Sequence, residues 1–280
     1  MGVRIVKTED KTGVEIFFEY VPSLKRWQNA VLTYLYQILI FVVLIVFFWW
    51  ISSLFLYGAI IGQLVITFSL TIPYVYVIKN VDKIREAYRT KYDVLAYQYF
   101  YYRFIIYIPP FGNASAILPF LLKTDYFLPS IISLPSHFIT QDIFPYYSSI
   151  PISILFIILG VLIRKPSGGY DVDIQLLVYL IFPEKSRKIT GGIYDYIRHP
   201  QYMGEGFIII GVGIFANNLL ALIVSLIHFL AYIPIIRIED SELIKRFGMD
   251  FKKYQNRVPA LFPKFGNWKN FFKYLIKSKD

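Results

Sequence analysis

The chain has 280 residues, of which 56% are hydrophobic and 19% aromatic, while only 17% are charged. This apolar content exceeds what the core of a soluble domain needs, so we expect an integral membrane protein. The net charge of +10 does not indicate a nucleic-acid partner, because the basic residues flank apolar runs, where lipid head groups account for them. The chain has no cysteine, which excludes disulfides, zinc–thiolate sites and a thiol nucleophile.

Three polar, mostly basic segments are expected on the cytoplasmic side. In the first, residues 1–30, the alternating stretches Val3–Val6 and Val14–Tyr20 predict a small amphipathic hairpin near the membrane surface. The second is the loop Lys79–Asp93, and the third is a basic C-terminal tail at residues 264–280.

Two uncharged apolar runs, Val31–Ile51 and Leu54–Ile78, are each long enough to cross a hydrocarbon core of roughly 30 Å. A tight turn at Ser52-Ser53 is expected between them. The spacing of Gly58 and Gly62 lets two helices touch backbone to backbone, which predicts packing of the second span against the first.

The middle of the chain is less regular. Val94–Pro110 is dense in Tyr and Phe, and it predicts either a third crossing or a helix at the membrane interface. Phe111–Asp142 holds several prolines and few charges, which favours an outer loop, and Ile143–Ile163 is then a return crossing. Ile174–Phe182 is too short to span, so it dips into or lies along the inner interface.

Gln201–Ala216 and Leu219–Ile236 predict two antiparallel membrane helices joined by a turn at Asn217-Asn218. The predicted fold is therefore an all-α polytopic membrane helix bundle of about six spans, within a range of four to seven, followed by a C-terminal cytoplasmic helical segment. Both termini are expected in the cytoplasm, with the plasma membrane as the location if the source is prokaryotic.

A polar, ring-rich segment at Gly192–Glu205 interrupts the apolar runs. Pro200 is well suited to the first position of a helix, which places His199 at the cap. Free backbone donors at a helix start favour an anion, and Arg198 adds a permanent cation. A carboxylate or a phosphate is the expected ligand group.

Small and aromatic residues accompany this helix start. The glycines thin one side of the helix, and we favour helix packing over contact with a small molecule as their role. The tyrosines could stack on a planar ring, hold a cation or simply anchor the interface. These residues are Gly204, Gly206, Gly211, Gly213, Tyr194, Tyr196 and Tyr202.

Glu239 and Asp240 follow the last apolar run, on the same side of the membrane as Arg198. If the helical hairpin forms, the two acids and the cationic cap face one pocket. The alternative is an ordinary solvated helix end, with Glu242 and Arg246 as an i,i+4 pair.

Together the two segments resemble the family of integral-membrane methyltransferases that includes isoprenylcysteine carboxyl methyltransferase and the phospholipid N-methyltransferases. The resemblance covers roughly the last third of the chain. One departure is Asp240, where the family has a second Glu, and the first half matches no branch that we can place. The matching residues are Gly192, Tyr194, Arg198-His199-Pro200, Tyr202, Gly204, Glu239-Asp240, Phe247-Gly248, Phe251, Tyr254, Val258-Pro259 and Pro263.

The resemblance implies S-adenosylmethionine as the cofactor, no metal, and a lipid-like or prenylated acceptor that enters from the bilayer. It implies catalytic roles for Arg198, His199 and Glu239. The implied cofactor-binding residues are Tyr194, Arg198, His199, Pro200, Tyr202, Gly204, Glu239 and Asp240. The active site would face the cytoplasm, and the oligomeric state stays open.

Residues 31–170 are then membrane spans of unassigned role, and residues 171–263 form the cofactor-binding core. His228, inside the last span, either lines a lipid-side tunnel or bonds to a neighbouring helix. Two other classes remain open: a membrane NADPH-dependent sterol or isoprenoid double-bond reductase, and a non-catalytic membrane protein or transporter.

Overall fold

The computed structural model describes residues 13–55, 57–122, 141–168, 177–185 and 191–277. Within these ranges the protein is α-helical with short 3-10 turns, and the β-pairing is limited to one isolated bridge between Asp142 and Asn218. The predicted fold class, an all-α helix bundle, is confirmed. The helices are α1 (Gly13–Tyr20), α2 (Trp27–Leu54), α3 (Gly58–Lys79), α4 (Val81–Tyr92), α5 (Ala96–Arg103), α6 (Ile108–Ile117), α7 (Tyr146–Arg164), α8 (Pro200–Ala216), α9 (Leu219–Arg257) and α10 (Trp268–Lys277).

Five helical segments of the described chain are long and apolar enough to cross a membrane: Trp27–Leu54, Gly58–Lys79, Val81–Leu122, Tyr147–Ser167 and Leu219–Arg257. Helix α8, with 17 residues, is slightly shorter, but it lies between α7 and α9 and runs antiparallel to both. The protein is therefore a multi-pass membrane protein.

Glycines set the distances between the crossing helices. A Cβ atom at Gly58 would lie 1.9 Å from the carbonyl oxygen of Ile51 in α2, which confirms the predicted contact between the first two spans. A Cβ atom at Gly204 would lie 2.7 Å from the carbonyl oxygen of Gly160 in α7. Helices that approach this closely leave no room for a side chain between them, so the packing role of the α8 glycines is the one that the structure supports.

The third crossing is built from residues 105–122. Its first end lies on α2, where Gln37 Nε2 donates to the Ile106 carbonyl at 3.1 Å. Its far end lies at the turn between α8 and α9, where Asn218 Nδ2 donates to the Leu122 carbonyl at 3.0 Å. This segment therefore passes from one end of the bundle to the other.

The expected boundaries of this region were wrong. Val94–Pro110 is not one element, because α5 ends at Arg103 and packs in a cluster of aromatic side chains with α1 and α4. The expected loop from Phe111 is helical as far as Leu122, and residues 123–140 lie outside the described chain. The prolines misled the prediction, since Pro119 lies inside the short 3-10 helix Leu118–Leu122 and does not end the helical path there.

Two further expectations were wrong near the N-terminus. Val14–Tyr20 is part of helix α1 rather than of a hairpin, because Phe17 and Tyr20 pack on the aromatic cluster of α5; Val3–Val6 lies outside the described residues. Ser52-Ser53 lies inside α2 and not in a turn. The hydroxyl of Ser53 donates to the Trp50 carbonyl at 2.7 Å, so it is satisfied within the helix as a membrane requires.

The other expected elements have clear counterparts. Helix α7 confirms the return crossing, and the α8–α9 hairpin turns at Asn217, whose φ of 64° ends α8 in the left-handed region. Asn218 caps α9 by accepting from the Ala221 N–H at 2.8 Å. Helix α9 continues well beyond Ile236 and bends at Gly248, whose φ is 61°. The tail that was expected from residue 264 contains helix α10.

Candidate functional site

The start of α8 is held by the segment that follows α9. Pro200 is the first residue of α8 and His199 is its cap, as predicted. The backbone N–H of Arg198 donates to the Pro259 carbonyl at 2.9 Å, and that of His199 donates to the Ala260 carbonyl at 3.0 Å. These two bonds fix the cap against the end of α9 and bring the two predicted halves of the site together.

Asp240 is the centre of the cap region. Its carboxylate accepts from Arg198 Nη2 at 2.6 Å, from Gln255 Nε2 at 3.2 Å and from His199 Nε2 at 3.0 Å. The side chains of Arg198 and Asp240 are only 9% and 7% exposed, so this ion pair is buried. Since a carboxylate can only accept, Nε2 of His199 carries the hydrogen.

Arg198 is also bound to backbone carbonyls. Its Nη1 donates to the carbonyls of Gln255, at 3.0 Å, and Val258. The third nitrogen, Nε, is buried and has no partner in the described part of the protein. Arg198 therefore clamps the chain beyond Gly248 onto the cap while the N–H of Nε stays unpaired.

Glu239 lies beside this pair and has a different environment. Its Oε1 accepts from the hydroxyls of Tyr202, at 2.6 Å, and Tyr74, at 2.7 Å, while Oε2 lies 3.7 Å from His199 Nδ1. Within the described residues no Lys or Arg nitrogen lies within 4.0 Å of this carboxylate. Its side chain is 21% exposed, so a negative charge without a permanent cation reaches the surface of the site.

The other predicted site residues lie around this group. Tyr194 is buried, donates to the Ser167 carbonyl at 3.0 Å and accepts from Gln201 at 2.9 Å. Pro200 begins the helix, and Gly204 faces α7 rather than the carboxylates. Five of the eight predicted residues thus form one contact network, and Tyr194, Pro200 and Gly204 support the elements that carry it. The five are Arg198, His199, Tyr202, Glu239 and Asp240.

Sequence reasoning missed three contributors: Tyr74, Gln255 and Tyr232. The Tyr232 ring stacks on Tyr202 with centroids 4.7 Å apart, and its hydroxyl lies 2.9 Å from His228 Nε2. Nδ1 of His228 lies 2.5 Å from the hydroxyl oxygen of Ser115, so this histidine bonds to a neighbouring helix, which was one of its two expected roles. A signal for Gln255 was available in the sequence, because it follows Tyr254 in the matching motif.

Gly192, at the start of the motif, is required by the backbone. Its φ is 61°, and a Cβ atom there would lie 2.8 Å from the Tyr274 hydroxyl oxygen of α10. Burial raises the pKa of Tyr274 above its ordinary value, so the hydroxyl stays neutral at physiological pH. The motif thus extends to a contact with the C-terminal helix.

Comparison with known proteins finds a family model that is similar to this part of the chain. Residues 149–250 match the family model described as phospholipid methyltransferase. A protein-S-isoprenylcysteine O-methyltransferase of Schizosaccharomyces pombe is 32% identical over 76 residues, which is 27% of this chain and 32% of that protein. The Xenopus laevis protein of the same name is 26% identical over 164 residues, or 54% of this chain and 55% of that protein.

A third relative has another name. The nickel-cobalt-cadmium resistance protein NccN of Alcaligenes xylosoxydans xylosoxydans is 32% identical over 100 residues, 35% of this chain and 46% of that protein. The chain therefore spans about half, or less, of the length of these curated relatives. No solved structure matches the chain significantly. The family match contains α8, the cap residues Arg198 and His199 and the acids Glu239 and Asp240, so the candidate site lies in the part of the chain that is similar to the phospholipid methyltransferase family.

Proposed function

We propose that the protein is an integral-membrane methyltransferase that uses S-adenosylmethionine and acts on a lipid-like or prenylated acceptor. The observation that carries the proposal is the junction of Arg198 and His199 with Glu239 and Asp240 at one end of the α8–α9 hairpin. It lies inside the segment that matches the phospholipid methyltransferase family.

The charges at this junction fit the cofactor. The amino-acid end of S-adenosylmethionine is zwitterionic and lies next to a cationic sulfonium. Glu239, with no Lys or Arg nitrogen within 4.0 Å in the described chain, is suited to the cationic groups. The buried, unpartnered Nε of Arg198 and the start of α8 are suited to the carboxylate.

The residues of the site would bind and orient rather than remove a proton. When bound, S-adenosylmethionine would supply a methyl group that bonds to the acceptor while the bond to sulfur breaks and the sulfur leaves as a neutral thioether, an in-line displacement that needs alignment above all. Tyr74 and Tyr202 fix the Glu239 carboxylate with two hydroxyl donors. The two carboxylate oxygens of Asp240 are hydrogen-bonded to Arg198 and His199, so its role is to hold these two side chains in place.

A lipid-like acceptor is supported by the exposed apolar side of α9. Leu226, Leu230 and Ile233 of α9 are 45%, 54% and 39% exposed and follow one another at helical spacing, so this side of the helix faces the bilayer. Tyr232 and Glu239 lie on the opposite side of α9, toward the neighbouring helices. We infer that the acceptor enters sideways from the bilayer, between the helices.

The direct test is transfer of labelled methyl groups. The purified protein in lipid nanodiscs is incubated with methyl-labelled S-adenosylmethionine and, in separate samples, a prenylcysteine, phosphatidylethanolamine and a total lipid extract. We expect label in one acceptor class, and loss of both transfer and calorimetric cofactor binding in Glu239→Gln. The matched control is Glu184→Gln, which changes an exposed carboxylate that pairs with Arg89.

Three results would contradict the proposal. Unchanged cofactor affinity in Glu239→Gln would remove this carboxylate from the site. Binding of NADPH in place of S-adenosylmethionine would favour the reductase, and binding of neither would favour a non-catalytic membrane protein.

The site is proposed to face the cytoplasm. Since the chain has no native cysteine, single introduced cysteines report on which side of the membrane they lie without background labelling. One is placed at Lys253, near the site, and the other at Tyr147, at the end of α7 that is far from the site. We expect a membrane-impermeant maleimide added to intact cells to label Tyr147→Cys but not Lys253→Cys. The reverse pattern would place the site outside.

A further inference from the structure

The C-terminal helix α10 has an apolar face that the protein covers only in part. Phe271 and Leu275 are 0% and 4% exposed and pack on the inner ends of α7 and α8. Phe272 and Ile276, which are four residues apart and share a face, are 40% and 72% exposed. Phe265, just before α10, is 97% exposed.

Lysines border this apolar face. Lys269, Lys273 and Lys277 repeat every four residues along the helix and are all exposed, which places them in one stripe beside Phe272 and Ile276. An apolar stripe next to a row of lysines is the pattern of a helix that lies in the head-group region of an anionic membrane.

Two contacts place α10 at the level of the membrane surface. The cluster that buries Phe271 and Leu275 includes Ile163, at the end of α7, and Met203, in the first turn of α8. These residues lie where the crossing helices end, so α10 lies along the end of the bundle.

The segment that leads into α10 reaches deeper. The ring of Phe262, 46% exposed, lies 6.3 Å from the ring of Phe229 in α9. Phe229 in turn fills the space beside Gly206, where a Cβ atom would lie 2.2 Å from it. Gly206 is about 9 Å along α8 from Pro200 at the rise of an α-helix, so the exposed face of Phe262 is at the depth of the acyl chains.

We propose that α10 and the preceding loop form an amphipathic membrane-binding segment. It inserts four apolar side chains into the leaflet at the end of the bundle that carries the site: Phe262, Phe265, Phe272 and Ile276. The lysine stripe would then bind anionic lipid head groups. Charge complementarity and the depth of Phe262 select lipid as the partner. Because α10 contacts Tyr196 of the motif through Phe271 and Tyr274, lipid binding would also support the segment that leads to the cap.

The test uses nitroxide labels on single cysteines in an otherwise cysteine-free chain. Ile276→Cys is compared with Asn270→Cys, an exposed position on the other side of the lysine stripe of the same helix. The labelled full-length proteins are reconstituted in vesicles of phosphatidylcholine alone or mixed with phosphatidylglycerol. Collision rates with oxygen, which concentrates in the bilayer, and with a water-soluble nickel complex are then measured.

In the mixed vesicles we expect oxygen to be the more frequent collision partner at position 276 and the nickel complex at position 270. The ratio at position 276 should shift toward the nickel complex in phosphatidylcholine alone, and also in the triple variant Lys269→Gln, Lys273→Gln, Lys277→Gln. Nickel-dominated collisions at both positions would overturn the insertion. Low rates for both reagents at position 276 would indicate a protein contact, and equal ratios in the two lipids would refute the anionic preference.

Discussion

The substitution Asp240→Asn isolates the central ion pair of the site. It keeps the shape of the side chain but removes the charge that balances Arg198, whose side chain is only 9% exposed. Breaking a buried pair by removing one partner costs about 3–5 kcal/mol, because the other charge stays buried without compensation. We expect a loss of that size in the free energy of unfolding.

The assay is reversible unfolding in detergent micelles by titration with SDS, read by far-UV circular dichroism. The control Asp195→Asn removes an exposed carboxylate near the cap and should change the free energy by no more than about 0.5 kcal/mol. A double variant, Asp240→Asn with Arg198→Gln, completes the cycle. Since both halves of the pair are then neutral, its cost should fall below the sum of the single costs by about 1.5–3 kcal/mol, the value of a hydrogen bond to a charged group.

Additive costs would refute this reasoning. If the double variant loses the sum of the two single losses to within about 0.5 kcal/mol, Arg198 and Asp240 do not stabilise one another. The role assigned to Asp240, holding the cap residues in place, would then be wrong.

Two further predictions concern contacts made by the spans. Tyr74→Phe removes a donor 2.7 Å from Glu239 Oε1 and should weaken S-adenosylmethionine binding, measured by calorimetry, about tenfold or more. The control variant Tyr76→Phe changes an exposed tyrosine and should bind normally. Equal affinities of the two variants would exclude Tyr74 from the site. Gly160→Ala places a Cβ atom 2.5 Å from a carbonyl oxygen of α8 and should lower the free energy of unfolding by about 1–3 kcal/mol. The control variant Gly112→Ala places a Cβ atom where no other atom lies within 4 Å, so it should not lower the free energy of unfolding. Equal stabilities of the two variants would contradict the close packing.

The cap and the acidic pair could be predicted to meet because local signals define both ends of the hairpin. Pro200 marks the first turn of α8, and Asn217-Asn218 mark the turn to α9. Helix α8 has 17 residues, and the apolar run Leu219–Ile236 has a comparable length and ends just before Glu239. Two antiparallel helices of similar length end at the same level, so the sequence places the acids beside the cap without any knowledge of tertiary contacts.

Tyr74 could not be predicted in the same way. The chain has 24 tyrosines, and tyrosines at the ends of membrane spans are common for reasons of anchoring alone. Only the packing of α3 along α9 selects the one that reaches Glu239. Helix α1 was mistaken for a strand for a related reason, since its alternating pattern in eight residues is overridden by contacts with α5.

The contacts of α3 and α4 with α9 give the N-terminal half a role in the site, although it lies outside the family match. Tyr74 donates to Glu239, and Arg85 lies 3.4 Å from Glu242, two residues beyond Asp240. Arg85 Nε also donates to the Leu180 carbonyl at 3.0 Å, so one side chain joins α4, the buried segment around residue 180 and α9. Among the described residues and without these spans, Glu239 would lose one of its two hydroxyl donors, and the buried Glu242 would keep only Arg246 as a cation. The first half is therefore packed against the candidate site, and we propose that it supports the site as well as anchoring the chain in the membrane.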